Sequence, residues 1–429
     1  MSSNKNRAEQ RIKDLKKSAS LDELEKRLLI KDTANSDEVP GVPTDGLYTK
    51  DGQLERLEFL KEKTGEGIPF LEGARAFENH KLLEGNIENF IGMTQVPTGL
   101  IGPLLVHGTC ANGDFYLPLA TTEGSLVASY NRGAKATRMA GGVTSVCLIE
   151  GVQRSPLFKF ENIIEVGKFV FWALEQQTKF VELVKASSNF ARLEDILTNI
   201  EGNEVILTFE YTTGDAAGQN MVTICTNKIC EYILEESPMK PSSWFIESNY
   251  SGDKKATARS FSNVRGKKVT TEINIPREVV QDILKSTPEL MVEYWKSSTL
   301  AVIQSGAIGA QGHVANGLAA LFLSCGQDVA CISEAATGIT RMQLNDSGGL
   351  YCAVTLPNLI VGTVGGGTGL GTQKECLKML GCYGTGTSKK FAEICGALAI
   401  AGELSIAAAL SAGHFTQAHE ELGRKNEKK

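Results

Sequence analysis

The sequence lacks the signs of a zinc protein, a disulfide-stapled domain and a secreted chain. Its ten cysteines form no CxxC pair, so their spacing supports neither a zinc site nor a disulfide framework. The N-terminal stretch MSSNKNRAEQRIKDLKK is charged and has no apolar stretch of the kind that a signal peptide requires. The formal net charge is -6, which argues against nucleic acid as the main partner. We therefore expect a cytoplasmic protein with reduced cysteines and no bound metal.

A dinucleotide fingerprint and a membrane span are also missing. In VGTVGGGTGLGTQ (361–373), a GxGxxG motif that starts at Gly365 would need a glycine at position 370, which is Leu370. One that starts at Gly367 would need a glycine at position 372, which is Thr372. We expect these glycines to permit close approach of the backbone to a ligand or to a neighbouring chain. The most apolar run, residues 394–415, is rich in alanine and glycine and carries Glu403 near its middle. A bilayer span needs about 20 predominantly apolar residues with few charges, so we predict a buried helix instead.

The residues that are present indicate a soluble α+β protein of more than one domain. The chain has 429 residues, of which 42% are apolar and 22% are charged, as is typical of globular proteins. We predict a helical N-terminal region over residues 1–80, because leucines recur there at helical spacing. Within it, Ser20 and Glu23 have the spacing of a capping box.

Residues 156–246 differ from the rest of the chain in their pattern. The segment EVILTFEYT (204–212) alternates and predicts a strand, and a glycine-containing turn and a helical pattern follow it. Such a turn leaves exposed N–H groups at the helix start, where an anion can bind. We predict that 156–246 is a small α+β domain inserted into a larger α/β domain, which comprises residues 81–155 and 247–429.

Four polar residues stand out as candidates for chemistry. They are Glu123 in LATTEGSLVASYNRG, Lys254 in NYSGDKKATARS, Asp328 after HVANGLAALFLSCGQ and His419 in SAGHFTQAHEELGRK. Each has an ordinary structural interpretation: an acid at a helix start, a lysine in a solvated loop, a turn aspartate and a surface histidine. The functional interpretation is a proton donor, an ammonium that stabilises a developing oxyanion, a carboxylate that needs a cationic partner elsewhere and a mobile general acid.

Seven motifs occur in the order seen in the 3-hydroxy-3-methylglutaryl-CoA reductase family, which the chain resembles over residues 81–424. The motifs are ENFIGMTQVPTGLIGP, LATTEGSLVASYNRG, GDAAGQNM, NYSGDKKA, CGQD, GTVGGGT and SAGHFTQAH. The resemblance is closer to class I than to class II. It implies a helical N-terminal region, a large CoA-binding domain, an inserted ferredoxin-like cofactor domain, and a homo-oligomer (a dimer or a dimer of dimers) with shared active sites. No membrane span is expected.

The resemblance also implies a reaction and the roles of the four candidates. The family reduces the thioester of 3-hydroxy-3-methylglutaryl-CoA to mevalonate with two NADPH, by way of a hemithioacetal and an aldehyde. By similarity, Lys254 stabilises the oxyanion, Glu123 delivers a proton, Asp328 links the two and His419 protonates the departing CoA thiolate.

Binding residues carry over from the family motifs in three groups. The positions that match CoA contacts are Ser129, Asn131, Arg132, Lys285 and Lys296. Those that match the acyl pocket are Arg154, Lys255, His313 and Asn316. Those that match the cofactor site are Ser188, Asn189, Asp215, Asn220 and Arg424. Three positions depart from the family pattern. Glu247 stands where the family has a serine, unless Ser248 takes the place of that serine. Gly369 stands where the family has an asparagine, and Asn189 stands where it has an arginine.

Three alternatives remain open from the sequence. The same fold could run in reverse, as an NAD-dependent degradative enzyme. A non-catalytic CoA-binding homologue would be expected to lack at least one of Glu123, Lys254, Asp328 and His419, and all four are present. An unrelated acyl-CoA transferase or lyase would not consume two NADPH for each CoA released.

Overall fold

A computed structural model describes residues 12–13, 16, 19–29 and 39–413. Its strands are β1 (Thr98–Gly108), β2 (Asn112–Ala120), β3 (Val143–Arg154), β4 (Leu157–Lys159), β5 (Arg192–Glu201), β6 (Glu204–Thr212), β7 (Ser243–Phe245), β8 (Gly266–Ile275), β9 (Ile339–Leu344) and β10 (Leu350–Leu359). Its longer helices are α1 (Leu21–Leu28), α2 (Lys50–Thr64), α3 (Leu126–Met139), α4 (Ile163–Glu175), α5 (Gln177–Ser187), α6 (Gln219–Glu236), α7 (Pro288–Ser305), α8 (Val314–Ser324), α9 (Gly371–Met379) and α10 (Ser388–Ser411). Short helical turns occupy His80–Leu83, Ala258–Phe261, Arg277–Val279, Val280–Leu284, Val329–Cys331, Ile332–Ala335 and Gly366–Gly369.

Strand β3 connects two sheets. Its first part pairs in parallel with β1 and antiparallel with β8, and β2, β10 and β9 extend this larger sheet. Its last three residues pair antiparallel with β6, in a smaller sheet of order β7-β4-β6-β5. Arg154, the last residue of β3, therefore lies where the smaller sheet joins the larger one.

Two hydrophobic cores correspond to the two sheets. The larger core collects apolar residues from both sides of the chain interval 152–246, and helix α10 contributes many of them. The smaller core is built from Val152 to Ile233, with Ile246 packed against it. The two cores are therefore built from different parts of the chain.

Helix α10 is the central helix of the larger core, as the sequence predicts. It packs against α3, α7 and α8 and against strands β3, β8 and β10. Gly133 allows α3 to approach closely, since a Cβ there would lie 1.9 Å from the carbonyl oxygen of Ala401. Within the described residues, α10 is the one helix long and apolar enough to cross a membrane. However, 83% of its most apolar 18-residue window is buried inside the protein.

Several local predictions are confirmed. The Ser20 and Glu23 capping box is present, with Glu23 N–H donating to Ser20 Oγ at 3.2 Å. The strand at 204–212 is β6. In α4, Val166, Phe169 and Ala173 form the buried face, and Leu174 is exposed because it lies at the edge of that face.

The glycines of residues 361–373 include positions where the backbone is closely approached. Two of them approach other loops of the same chain, while approach to a ligand or a neighbouring chain stays a prediction. A Cβ on Gly362 would lie 2.5 Å from Ala217 N, and one on Gly367 would lie 2.8 Å from Gly326 O. The segment therefore packs against the loop before α6 and against the turn after α8.

Candidate active site

Lys254 and Asp328 are brought together from two distant loops. Nζ of Lys254 lies 2.9 Å from Oδ2 of Asp328, and both side chains are about half exposed. The hydrogen bond that the Lys254 ammonium donates to Asp328 raises the pKa of Lys254, so the ammonium form is favoured. Oδ1 of Asp328 accepts from Ala330 N–H at 3.0 Å, which orients the carboxylate in the turn after α8. The arrangement presents a fixed cation at the protein surface.

The backbone of Lys254 adopts a left-handed conformation, with φ of 55°. This region is unfavourable for a residue with a Cβ unless contacts hold it. The Lys254 N–H donates to Oε1 of Glu334 at 3.1 Å. The neighbouring Lys255 is exposed, and its Nζ donates to the carbonyl oxygen of Asp253 at 2.9 Å.

A buried network of ionic side chains lies beneath the Lys254 loop. Its members, called here the buried ionic network, are Arg154, Glu247, Asp253, Arg265 and Glu334. Nη1 of Arg154 lies 3.1 Å from both Glu247 Oε2 and Asp253 Oδ2. Arg265 donates to the other oxygen of Asp253, and its Nε lies 3.1 Å from Glu334 Oε2. Asp253 is thus held by two guanidinium groups immediately before Lys254.

The carboxyl groups of this network differ in pKa. Burial alone would raise the pKa of Asp253, but Arg265 and Arg154 hold it below its ordinary value. Glu334 is fully buried, and desolvation raises its pKa from 4.5 to about 7. Arg265 opposes this rise incompletely, because its Nε and Glu334 Oε2 lack hydrogen-bond geometry despite their short separation. The network therefore contains one carboxyl that changes charge near neutral pH.

The Glu247 departure has a structural explanation. Its carboxylate pairs with Arg154 and accepts from Ser251 Oγ at 3.0 Å. Ser248 donates its hydroxyl to the carbonyl oxygen of Ser155 at 2.8 Å. Arg154, placed in the acyl pocket by the family motif, is 7% exposed and already compensated by two carboxylates.

Glu123 lies in a second cluster, with Asn316, His313 and Tyr130. It is exposed, and its Oε1 accepts from Asn316 Nδ2 at 3.3 Å. The rings of Tyr130 and His313 are stacked at 5.2 Å, and His313 Nε2 lies 2.9 Å from the carbonyl oxygen of Gly402. Because a carbonyl oxygen only accepts, this Nε2 carries hydrogen. Two residues assigned to the acyl pocket, His313 and Asn316, thus lie beside Glu123.

The two clusters lie at opposite ends of α8. Asn316, which holds Glu123, is in the first turn of this 11-residue helix, and Asp328 follows its last turn. A helix of this length spans about 16 Å at 1.5 Å per residue. Among the described residues, no hydrogen bond or ion pair joins Glu123 to Lys254 or Asp328. Glu123 and the Lys254–Asp328 pair are thus two separate clusters in the part of the chain that the structure describes.

The residues assigned to CoA are mostly engaged within the chain or open to solvent. The Ser129 hydroxyl lies 3.0 Å from Ser405 Oγ, and Arg132 Nη2 donates to the Ser405 carbonyl oxygen at 2.8 Å. Asn131 Oδ1 accepts from Gly102 N–H at 3.0 Å. The side chains of Lys285 and Lys296 are exposed. The first three residues join α3 to its neighbours, while the two lysines are available to a phosphate.

The residues assigned to the cofactor occupy two places. Ser188 caps the segment after α5, with its Oγ accepting from Ala191 N–H at 3.1 Å, and Arg192 donates to the carbonyl oxygen of Asn189 at 2.9 Å. Asp215 accepts from Gly386 N–H at 2.7 Å and from Ser388 N–H at 3.1 Å. Burial would raise the pKa of Asp215, but these N–H groups lower it. Its carboxylate caps the start of α10.

The start of α6 is free of such a cap. Gly218 precedes the helix with φ of 83°, and no side chain caps the first turn, where Asn220 is exposed. Uncapped N–H groups at a helix start favour an anion. His419 and Arg424, the remaining assigned residues, lie outside the described residues.

Sequence reasoning missed Tyr130, Arg265 and Glu334. Tyr130 is fully buried, accepts from Gly317 N–H at 2.9 Å and donates to the His313 carbonyl oxygen at 3.1 Å. The signal for Glu334 was an isolated acid in CISEAATG, and that for Arg265 was a charge directly before the alternating strand β8. Neither signal identified a partner, because each residue contacts segments far away in the sequence.

Comparisons with known proteins identify the family of the chain. The family described as hydroxymethylglutaryl-coenzyme A reductase matches residues 53–424. The 3-hydroxy-3-methylglutaryl-coenzyme A reductase of Pyrococcus abyssi is 41% identical over 377 residues, which cover 86% of this chain and 92% of that protein. The enzyme of the same name from Methanocaldococcus jannaschii is 40% identical over 379 residues, again 86% and 92% of the two chains.

Solved structures share the fold. The reductase of Streptococcus pneumoniae superimposes with a TM-score of 0.68 at 19% identity, covering 86% of this chain and 99% of that one. A class II structure from the same organism, described as bound to NADPH in open conformations, has a TM-score of 0.67 at 19% identity and covers 83% and 96%. With the matches in sequence over most of its length, this chain belongs to the hydroxymethylglutaryl-coenzyme A reductase family.

Proposed function

We propose that the chain reduces 3-hydroxy-3-methylglutaryl-CoA to mevalonate and free CoA with two NADPH. The observation that carries the proposal is the Lys254–Asp328 ion pair at 2.9 Å. The names of the archaeal relatives, at about 40% identity, support the same activity. In this reaction two hydrides reach the thioester carbon in turn, the C–S bond breaks between them, and the thiolate and the final oxygen each take a proton.

Each hydride addition places negative charge on the carbonyl oxygen. A fixed ammonium stabilises that charge, and removal of one such donor typically costs about 10²–10³ in rate. Asp328 keeps Lys254 protonated and oriented, as the raised pKa of Lys254 indicates. Glu123 is proposed as the proton donor, with Asn316 orienting it, and His419 as the acid for the CoA thiolate.

The cofactor is proposed to bind the small unit. The strand and helix order of residues 156–246, with sheet order β7-β4-β6-β5, supports a ferredoxin-like cofactor domain. The uncapped start of α6 fits a phosphate group, and Asn220 lies in that first turn. When bound, the nicotinamide supplies the hydrides; the chain supplies the anion site and the charges around the carbonyl.

A homo-oligomer with shared active sites accompanies this proposal. Asn316, which contacts Glu123, and Asp328 lie towards opposite ends of α8, a helix about 16 Å long, and this supports a proton link between residues of two chains. We propose that a dimer, or a dimer of dimers, places Glu123 of one chain near Lys254 of another. The exposed Lys285 and Lys296, with Lys255, remain the proposed contacts of CoA and acyl group, and a cytoplasmic location remains the corresponding expectation.

Subunit mixing tests the shared site. Inactive Glu123→Gln and Lys254→Ala chains are combined under conditions where exchange of subunits is demonstrated. Partial recovery of NADPH oxidation is expected, because some mixed sites contain both intact residues. Mixing two preparations of Lys254→Ala is the control, and no recovery in the complementary mixture contradicts shared sites.

The main experiment follows NADPH and NADH oxidation with 3-hydroxy-3-methylglutaryl-CoA and identifies the product. Lys254→Ala should lose at least about 10²-fold in kcat on both the thioester and free mevaldehyde, because both steps build an oxyanion. Lys378→Ala is the matched control, since Lys378 is a similarly exposed lysine paired with Glu66 at 3.7 Å. Activity of Lys254→Ala within threefold of wild type overturns the assignment, and an NADH-dependent oxidation of mevalonate would favour the degradative alternative.

A further inference from the structure

One short segment contacts both the side chain and the backbone of Lys254. Asp328, at the start of residues 328–334, pairs with Nζ, while Glu334, at its end, accepts from the backbone N–H. The side chain and the backbone of the same lysine are therefore positioned by a single structural unit. The left-handed φ of 55° at Lys254 makes the backbone contact important, because this conformation needs external support.

Arg265 connects Glu334 to the residue before Lys254. Its guanidinium contacts Asp253 and lies 3.1 Å from Glu334 Oε2, while its side chain is 2% exposed. Glu334 is completely buried. Asp253 and the Lys254 N–H are thus fixed by two buried side chains that have little contact with solvent. Movement of either would be transmitted to the lysine backbone.

Several buried polar atoms of the network lack hydrogen-bond partners, which is unfavourable for stability. Arg265 Nε and Nη1 and Glu334 Oε2 are buried without hydrogen-bond partners. Buried polar atoms are normally satisfied, and partial satisfaction of a charged network is costly. The atom of Glu334 that does form a good hydrogen bond is Oε1, and its partner is the Lys254 backbone. The hydrogen bonding is therefore directed at the loop.

We propose that Glu334 and Arg265 are positioning residues that fix the backbone of Lys254 so that its ammonium reaches the developing oxyanion. Glu334 acts through its hydrogen bond to the Lys254 N–H, and Arg265 acts by fixing Glu334 and Asp253 together. The inference rests on the proposed role of Lys254 in thioester reduction. It extends the site to two side chains that do not touch the substrate.

Two substitutions of Glu334 distinguish the effect of the position of its acceptor oxygen from the effect of its charge. Glu334→Asp keeps the charge but withdraws the acceptor from the Lys254 N–H by one methylene. Glu334→Gln keeps an oxygen at that distance but removes the charge. If positioning is the role, Glu334→Asp should lower kcat by about tenfold or more, since small misplacements of a catalytic group cost up to about 10²-fold. Glu334→Gln should stay within about threefold of wild type, and KM for the cofactor should change little in both.

A pH profile provides a second readout. When the Lys254 backbone shifts in Glu334→Asp, its Nζ loses the contact with Asp328 that raises the Lys254 pKa. The alkaline limb of kcat/KM should therefore move to lower pH. Arg265→Lys should show the same direction of change, because a lysine cannot contact Asp253 and Glu334 together as a guanidinium does.

Glu393 supplies the matched control. It is also a fully buried carboxyl that accepts backbone N–H groups, those of Cys110 and Ala111, at the turn between β1 and β2. Glu393→Asp should lower the melting temperature without shifting the kcat of the folded enzyme or its alkaline limb. A purely structural role for Glu334 predicts this same result for Glu334→Asp, and that outcome overturns the proposal.

Failure of this inference is distinct from failure of the proposed function. If Lys254→Ala abolishes activity while Glu334→Asp is folded and unchanged in kcat and pH profile, the positioning role alone is wrong. If Glu334→Asp does not fold, Glu334→Gln and Arg265→Lys provide the test. The positioning role is contradicted if Arg265→Lys keeps the wild-type pH profile and kcat. It is also contradicted if Glu334→Gln loses more kcat than Arg265→Lys does. If Lys254→Ala retains activity, the proposed function fails first.

Discussion

The Lys254 ammonium and the Asp328 carboxylate form an ion pair of 2.9 Å between the loop at 249–255 and the turn after α8. Both side chains are about half exposed, and exposed pairs of this kind contribute at most about 1 kcal/mol to folding. The pair therefore contributes little to stability. In the proposed reaction it places a protonated amine where negative charge develops.

Replacement of Asp328 by asparagine should weaken this chemistry in a defined direction. The Asp328 hydrogen bond and charge raise the pKa of Lys254, so Asp328→Asn should lower that pKa and move the alkaline limb of kcat/KM to lower pH. We expect kcat to fall as well, because the amine is less well oriented. The profile is measured with NADPH oxidation from pH 6 upward, and an unchanged alkaline limb would show that Asp328 does not act through Lys254.

His419→Gln should separate the two reduction steps. The thioester step releases a thiolate that needs a proton, whereas reduction of free mevaldehyde does not. We therefore expect loss of activity on the thioester with mevaldehyde reduction largely spared. His80→Gln, at an exposed histidine in a short helical turn, is the control. Equal loss on both substrates would assign His419 a structural role.

Cofactor preference should depend on Arg424. NADPH carries a 2′-phosphate, which calls for a cationic donor. Arg192 donates to the carbonyl oxygens of Ala191 and Asn189, which leaves the exposed Lys185 and the sequence-predicted Arg424. Arg424→Ala should raise KM for NADPH by about ten- to a hundredfold and leave that for NADH nearly unchanged.

An exposed arginine paired elsewhere provides the comparison for this test. Arg277 is ion-paired with Glu289 at the protein surface, and Arg277→Ala should not alter cofactor preference. A wild-type preference for NADH, or equal weakening of both cofactors by Arg424→Ala, would contradict the role of the C-terminal segment.

Glu334 should make stability depend on pH. Its pKa is raised by burial from 4.5 to about 7, and Arg265, Asp253 and the Cys331 thiol face it. The folded state therefore binds this proton more tightly than the unfolded state, so its contribution is full below about pH 4.5 and is lost as pH rises through 7. From pH 5 to pH 8, the free energy of unfolding of wild type should fall by about 2–3 kcal/mol more than that of Glu334→Gln. Denaturant unfolding at both pH values measures this difference, and parallel curves would contradict it.

Local structure was predictable from neighbouring residues. The capping box at Ser20 and Glu23, the alternating strand β6 and the buried α10 all follow from periodicity or from side chains a few residues apart. The ordered motifs also identified the family, because seven short patterns in one order constrain the chain far more than any single one. These features depend on local spacing, which the sequence displays directly.

The composition of the site depended on contacts between distant segments. Lys254 and Asp328 were assigned from motifs, but the hydrogen bond from Lys254 N–H to Glu334 and the pairing of Glu247 with Arg154 were not apparent. No periodicity relates residues that meet only when β3, the Lys254 loop and the turn after α8 pack together.

The separation of Glu123 from Asp328 was likewise decided by tertiary structure. The sequence by itself determined which residue types are present, the local helices and strands, and the family to which the chain belongs. The fold decided that Glu123 and Asp328 lie at opposite ends of α8, because a rigid helix keeps its two ends apart. It also decided which charges are buried, since burial depends on every segment that packs around them.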